Sequence, residues 1–244
     1  AIRYLREFHD EYAIDPEKIF MWGTSAGAFI ALHLAYTDEN DRPDATYAGF
    51  TAPDLGCLDC EGNSYIQNSR PNAIVSCWGA IGNLDYIDEN DFVPSLMFHG
   101  MIDLVVPFGT GLPFTLLITL PIVHGSNAIS ERLNEYDVPN TLVAEAGQLH
   151  EYWGAVNGTF IGGEPSAFWE PILNGGFEFL YNQLSNNISG DINTDGDLNI
   201  LDVVLLVNII LGIENTSAIA DMNNDGVINI LDVVILVNQI LGNN

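Results

Sequence analysis

Apolar residues recur at helical spacing at Ile2, Leu5, Phe8 and Tyr12, which predicts an amphipathic helix over about residues 2–13. Asp15-Pro16 breaks it. Lys18-Ile19-Phe20-Met21-Trp22 reads as a short buried strand, followed by the turn Gly23-Thr24-Ser25-Ala26-Gly27 and a helical run from Ala28 to Tyr36. From Asp38 to Pro71 the chain is polar and rich in Gly, Pro and Asp, the signature of loop. Strands are expected at Ala73–Ala80, Ser95–His99 and Thr141–Ala144, and helices at Asn127–Tyr136 and Ala167–Leu184. Strands that alternate with helices imply an α/β fold, a parallel sheet covered by helices on its faces.

The pattern then changes. Asp191–Asp202 realigns on Asp221–Asp232 with an offset of 30 residues, and 12 of 14 positions are identical between Asn199–Gly212 and Asn229–Gly242. Such a duplication marks two copies of one small unit. The chain therefore divides into a first domain (1–184), a linker (185–190) and a duplicated module (191–244).

Charge narrows the partners. The 244 residues carry 33 acids against 6 bases, a formal charge of −27, and no Lys or Arg follows Arg132. That argues against nucleic acid or an anionic membrane surface as partner. No run of 18 apolar residues exists, so no membrane-spanning helix is expected; Leu112–Val123 is apolar but short and holds two prolines. Of the three cysteines, Cys57 and Cys60 share a Gly/Asp-rich loop and Cys77 stands apart. A zinc site would need a second pair, which leaves a small disulfide or free thiols.

Each copy of the repeat sets oxygen side chains at loop positions 1, 3, 5, 9 and 12, with Gly at 6. In the first loop these are Asp191, Asn193, Asp195, Asn199 and Asp202; in the second, Asp221, Asn223, Asp225, Asn229 and Asp232. Calcium takes six to eight oxygens, and alternating residues point inward as a chain wraps the ion. Gly196 and Gly226 permit the sharp turn, and the carbonyls of Asp197 and Val227 fill position 7. The loops match the EF-hand pattern except for Asp in place of Glu at position 12. Two such loops, each followed by one helix, resemble the type I dockerin family over residues 190–243. The resemblance implies two bound Ca2+ ions, export from the cell, and a cohesin-type partner that meets Ile200-Leu201 and Ile230-Leu231. It also implies an enzyme that acts on plant or algal polysaccharide. Asn208 and Asn238 stand where the family usually has a basic residue.

Gly23-x-Ser25-x-Gly27 sits between the predicted strand and helix, the context of a nucleophile elbow. A serine hydroxyl needs a histidine to take its proton, and that histidine needs an acid to orient it. Ser95–His99 ends a strand with Asp103 in the next loop, and Thr141–Ala144 is followed by Gly147-Gln-Leu-His150. Ser25, Asp103 and His150 are thus the candidate triad, with the Ala26 N–H as oxyanion donor at the helix N-terminus. Asp85 and Asp88 are rival acids. His99 reads as a packed core histidine, and His9, His33 and His124 do not follow a late strand.

Residues 1–184 resemble the α/β-hydrolase family through Ile14-Asp15-Pro16-Glu17-Lys18-Ile19, the Gly-Thr-Ser-Ala-Gly-Ala elbow, His99-Gly100-x-x-Asp103-x-x-Val106-Pro107 and Gly147-x-x-His150. These runs are similar to secreted carboxylesterases and to feruloyl- or acetyl-esterase-like members. The resemblance implies that Ser25 attacks an ester carbonyl, His150 shuttles protons and Asp103 holds His150. The family's early strands and Gly-rich oxyanion loop have no counterpart, so the chain is expected to hold the C-terminal part of the sheet and to be a poor catalyst as it stands. The expected function is a secreted serine carboxylester hydrolase that deacylates polysaccharide. A serine peptidase, a lipase or polyester hydrolase on the same fold, and a calcium-dependent docking protein with a non-functional hydrolase domain are the alternatives. The apolar stretch Phe108–Val123 is a candidate acyl or aromatic pocket wall.

Overall fold

The structure is a computed structural model that describes residues 1–50, 53–59, 62, 64–114, 120–154, 164–184, 190–193, 197–213, 218–223 and 227–242. Cys60, the expected linker 185–189, the loop residues Asp195, Gly196, Asp225 and Gly226, and positions 115–119 of the apolar stretch lie outside them. The chain forms two compact units, Ala1–Leu180 and Tyr181–Asn244.

The first unit opens with α1 (Ile2–Glu7) and α2 (His9–Tyr12), then β1 (Phe20–Thr24), α3 (Ala26–Tyr36), β2 (Ala73–Cys77), β3 (Ala80–Ile81) and β4 (Ser95–Gly100). It continues through β5 (Thr110–Gly111), β6 (Val123–Gly125), α4 (Ser126–Glu135), β7 (Asn140–Glu145) and α5 (Trp169–Leu184), within which the two units divide. Four strands make one parallel sheet in the order β1-β2-β4-β7. Its central strands β2 and β4 are buried at every position, as expected where helices cover both faces.

The period-two alternation of the strands sorts their side chains onto those faces. Met21, Ile74, Met97 and Leu142 meet Ala31, Leu32, Ala35 and Tyr36 of α3 and Ile129 and Leu133 of α4. Trp22, Val75, Leu96, Phe98 and Val143 point the other way, against Ile172, Phe179 and Leu180 of α5. The Tyr36 hydroxyl donates to the Val93 carbonyl at 2.9 Å and pairs with Ser95 Oγ, which satisfies a phenol inside the first face. Burial raises its pKa above the ordinary tyrosine value.

Several elements depart from the sequence pattern. The first strand is Phe20–Thr24 and not Lys18–Trp22, because it runs on to the serine turn. The first helix breaks at Phe8 (φ −109°, ψ 26°) into α1 and α2. The strand expected at Ala73–Ala80 ends at Cys77, because Trp78 takes a left-handed φ of 45° and sends the chain off the sheet. There Ala80–Ile81 joins a small antiparallel sheet, β3-β6-β5, whose strands are too short to show a period. A Cβ on the intervening Gly79 would fall 2.6 Å from both Ala28 Cβ and Ser76 Oγ, so glycine is needed where this turn crosses the start of α3. The expected loop 38–71 is irregular where described, apart from single turns at Glu39–Asp41 and Asp44–Thr46.

Arginines tie the loops to the core. Arg6 donates to the carbonyls of Pro16 and Asn68 and to Oδ1 of Asn68 and Asn72; Arg3 donates to Gln67 and Tyr65. Arg70 bridges Asp38 and Asp91, and Arg42 bridges Glu39 and Asp54. Arg132 donates to the Ile87 carbonyl and to Glu135 and lies over the Tyr136 ring. Cys57 is disulfide-bonded, whereas Cys77 is a free buried thiol pushed up to about 12 by burial.

In the second unit, α6 (Ile200–Ile210) and α7 (Ile230–Ile240) follow the two acidic loops. Leu206, Ile209, Ala220 and Leu236 form its core, packed by Ile192, Leu198, Val203, Met222, Ile228 and Val233.

Two adjacent glycines of α5 should respond oppositely to alanine. A Cβ on Gly176 would lie 2.1 Å from Trp22 Cη2, whereas on Gly175 it would meet only the Phe98 ring, at 3.4 Å from Cζ. Gly176→Ala should lose about 1–3 kcal/mol through overpacking, and Gly175→Ala should gain up to about 1 kcal/mol from helix propensity. Urea unfolding of both variants checks the pair.

Candidate active site

β1 ends at Thr24, and Ser25 turns the chain into α3 with φ 50° and ψ −117°. A side chain at Gly23 is impossible here, since a Cβ would fall 2.2 Å from the Gly27 carbonyl oxygen. The Ser25 N–H donates to the Cys77 carbonyl at 3.0 Å, which fixes the turn against the end of β2. The Ala26 N–H opens α3 and has no helical carbonyl before it, so it is a donor at the positive end of the helix.

Ser25, Asp103 and His150 come together. Ser25 Oγ lies 2.9 Å from His150 Nε2, and His150 Nδ1 lies 2.7 Å from Asp103 Oδ2. Because a carboxylate only accepts, Nδ1 carries the proton and Nε2 is left free to accept from the serine. Asp103 Oδ1 accepts from the N–H groups of Val105 at 2.8 Å and Val106 at 3.0 Å. Burial alone would raise the Asp103 carboxyl. The hydrogen bonds from His150 and His99, the His150 charge and the Val106 N–H outweigh it and hold the group at about 2. Trp78 packs edge-on to the His150 ring at 6.2 Å. The loop that carries His150 crosses Gly100 so closely that a Cβ there would sit 2.4 Å from the Gln148 carbonyl oxygen.

The rival groups are held elsewhere. Asp88 accepts from Asn90, and Asp85 belongs to the turn at Leu84–Tyr86. His33 donates to the Phe29 carbonyl and accepts from the Gly82 N–H; His124 meets Thr110, and His9 lies beside Asp10. His99 is buried, as a core histidine should be, yet it also lies 3.4 Å from Asp103 Oδ2. That contact, the backbone donors of Val105 and Val106, and the Trp78 wall were not visible in the sequence. Backbone donors carry no residue signature, and a left-handed tryptophan has no pattern of its own. A cavity of about 920 Å³ runs along α3, lined by Phe29, Ile30, Leu34, Leu58 and Phe92, and neither the Ser25 group nor the described part of Phe108–Val123 lines it.

In the second unit the position-12 acids organise each loop. Asp202 Oδ1 accepts from Ile192 N at 2.8 Å and Asn193 N at 3.1 Å, and Oδ2 accepts from Asn199 N. Asp232 does the same through Met222 and Asn229. Asn199 and Asn229 cap the helices through Leu201 N and Leu231 N and donate to the carbonyls of Asp197 and Val227. Asp191, Asp202 and Asp232 are buried. Among the described residues no three His, Cys, Asp or Glu side chains gather as a metal site; Asp195 and Asp225 are not among them. Ile200 and Ile230 are each 65% exposed, and Leu201 and Leu231 each 56%.

Two family models match separate parts of the chain. Residues 189–241 match the family model for the dockerin type I domain, and residues 1–82 match that of the BD-FAE family. A search of curated proteins finds no match. Among solved structures, the propionate-bound Est2 esterase of the Planctomycetes species Thermogutta terrifontis superposes with a TM-score of 0.50 at 18% identity, over 75% of this chain and 62% of that one. MGS-M1, an alpha/beta hydrolase enzyme from a Medee basin deep-sea metagenome library, gives 0.47 at 20% identity over 76% and 62%. The same T. terrifontis esterase phosphoramylated by tabun gives 0.48 at 18% identity over 75% and 61%. The chain thus spans about 62% of the length of these structures, and the likeness is one of fold. No described helix is long and apolar enough to cross a membrane. The chain joins a unit with the α/β-hydrolase fold, whose residues 1–82 match the BD-FAE family, to a C-terminal unit that matches the dockerin type I domain over residues 189–241.

Proposed function

We propose that the first unit is a serine carboxylester hydrolase that works through an acyl-enzyme. The observation that carries this reading is the unbroken hydrogen-bond chain Ser25–His150–Asp103, at 2.9 and 2.7 Å, on a serine held at φ 50°. His150 Nε2 takes the Ser25 proton as Oγ attacks the ester carbonyl. The imidazolium that forms faces the Asp103 carboxylate, which the two backbone N–H groups hold in plane. The Ala26 N–H stabilises the oxyanion, and His150 returns its proton to the leaving alcohol. Water then repeats the cycle on the acyl-serine. The match to the BD-FAE family supports an ester substrate. The dockerin domain favours an ester borne on polysaccharide, an extracellular place of work and a cohesin-type partner meeting Ile200, Leu201, Ile230 and Leu231.

Type I dockerin domains bind calcium, and the residues present fit the ion. Asp191, Asp202 and Asp232 are buried in a stretch of sequence that holds no Lys or Arg. Such carboxylate oxygens suit a hard divalent cation, and buried charges are commonly paired or bound to a metal. We assign one ion to each loop: Asp191, Asn193, Asp195, the Asp197 carbonyl and Asp202 in the first; Asp221, Asn223, Asp225, the Val227 carbonyl and Asp232 in the second. Asn199 and Asn229 already cap helices, so position 9 reaches the ion through water.

Paraoxon should attach to Ser25, read as a mass shift on the Ser25 peptide, and Ser25→Ala should abolish the adduct. With p-nitrophenyl acetate, Ser25→Ala, His150→Ala and Asp103→Ala should each lower kcat/KM roughly a thousandfold or more, since the three act as a unit. An active Asp103→Ala beside an inactive Asp85→Ala would reassign the acid.

Calorimetric titration of the chelator-stripped protein should give two calcium ions per chain, and one in Asp191→Ala. A circular dichroism spectrum and melting curve unchanged by EDTA would overturn the calcium assignment.

A further inference from the structure

We infer that His99 is a positioning residue for Asp103, fixed in one tautomer by Ser126. The inference rests on the Ser25–His150–Asp103 reading and extends it by two residues. His99 is fully buried and cannot touch substrate. Its Nε2 lies 3.1 Å from the Val106 carbonyl oxygen and 3.4 Å from Asp103 Oδ2. Both neighbours only accept, so Nε2 bears the proton. Nδ1 is then bare, and it accepts from Ser126 Oγ at 2.8 Å. Ser126 opens α4 and is itself fully buried, so its hydroxyl has no water to turn to.

The consequence lies at a single oxygen. Asp103 Oδ2 receives the Nδ1–H of His150 and also faces the Nε2–H of His99, while Oδ1 takes two backbone donors. Three hydrogen bonds thus hold the carboxylate, and the His99 edge closes on Oδ2 at 3.4 Å. His99 also draws charge from Oδ2. Without it, Oδ2 becomes a stronger acceptor for His150 and makes that imidazole more basic. A space-filling role alone would affect stability and leave this balance untouched.

Three variants separate the roles. His99→Leu fills the volume without a donor, His99→Gln keeps an N–H, and Ser126→Ala frees the tautomer. For ester hydrolysis, His99→Leu should lower kcat about tenfold to a hundredfold, the scale of a misplacement near 1 Å, with KM changed less than about twofold. Its acid limb of kcat/KM should move to higher pH. His99→Gln should recover part of kcat, and Ser126→Ala should show a smaller loss with the same direction of pH shift. Wild-type kcat and an unmoved acid limb in His99→Leu would overturn the inference. So would a loss that Gln does not relieve and that leaves the limb in place. If His99→Leu fails to fold, an unmoved limb in both His99→Gln and Ser126→Ala overturns it. Ser25→Ala serves as the control: full turnover in that variant would remove the triad reading itself, whereas an inactive Ser25→Ala beside an unaffected His99→Leu would remove only the role of His99.

Discussion

At Ser25 the chain has to pass from the end of β1 into α3 with almost no room. The Gly23 and Gly27 backbones approach to a distance that no Cβ could share, and the serine N–H is anchored to the carbonyl at the end of β2. That crowding forces the left-handed φ, which in turn holds the hydroxyl away from the sheet and toward His150. Other close approaches frame it. Gly79 lets the Trp78 turn cross the head of α3, and Gly100 lets the His150 loop cross the end of β4. The reacting groups are placed by backbone contacts that only glycine allows, and side-chain packing then locks them.

Much of this was legible in the sequence, for identifiable reasons. The strands β2, β4 and β7 lie within one residue of the expected bounds, apart from the early end of β2; β2 and β4 are buried at every position because helices cover both faces, whereas the edge strand β7 was marked by the short apolar run Leu142–Ala144. Gly23-x-Ser25-x-Gly27 was readable because glycine at fixed spacing reports a steric need. The strand-end positions of Asp103 and His150 followed from the alternation of strands and helices. What stayed hidden has no local pattern. Nothing about tryptophan announces a positive φ at Trp78, and β3, β5 and β6 are two or three residues long. His99 showed only that it was apolar-flanked; its nearness to Asp103 depends on how the loop after β4 folds back.

The two units handle buried acids differently. In the first, Asp103 sits between two imidazoles, and Asp91 meets Arg70; burial still raises Asp91 to about 6. In the second, Asp202 and Asp232 are saturated by backbone N–H groups at the start of a helix, whose dipole favours negative charge. Those donors stabilise the carboxylates without neutralising them, whereas Asp91 and Asp103 of the first unit each face a basic side chain.

The clamping of Arg132 reaches beyond local packing. It is the last basic residue of the chain, it lies inside α4, and its guanidinium is bonded to the Ile87 carbonyl and stacked on Tyr136. A digestive protease that cuts after lysine or arginine has no target at all in residues 133–244 and finds its last one held in a folded helix. Such a protease cannot sever α6 and α7 from β7 and α5, whether or not α4 stays folded. In a peptide map residues 133–244 travel together on one acidic fragment.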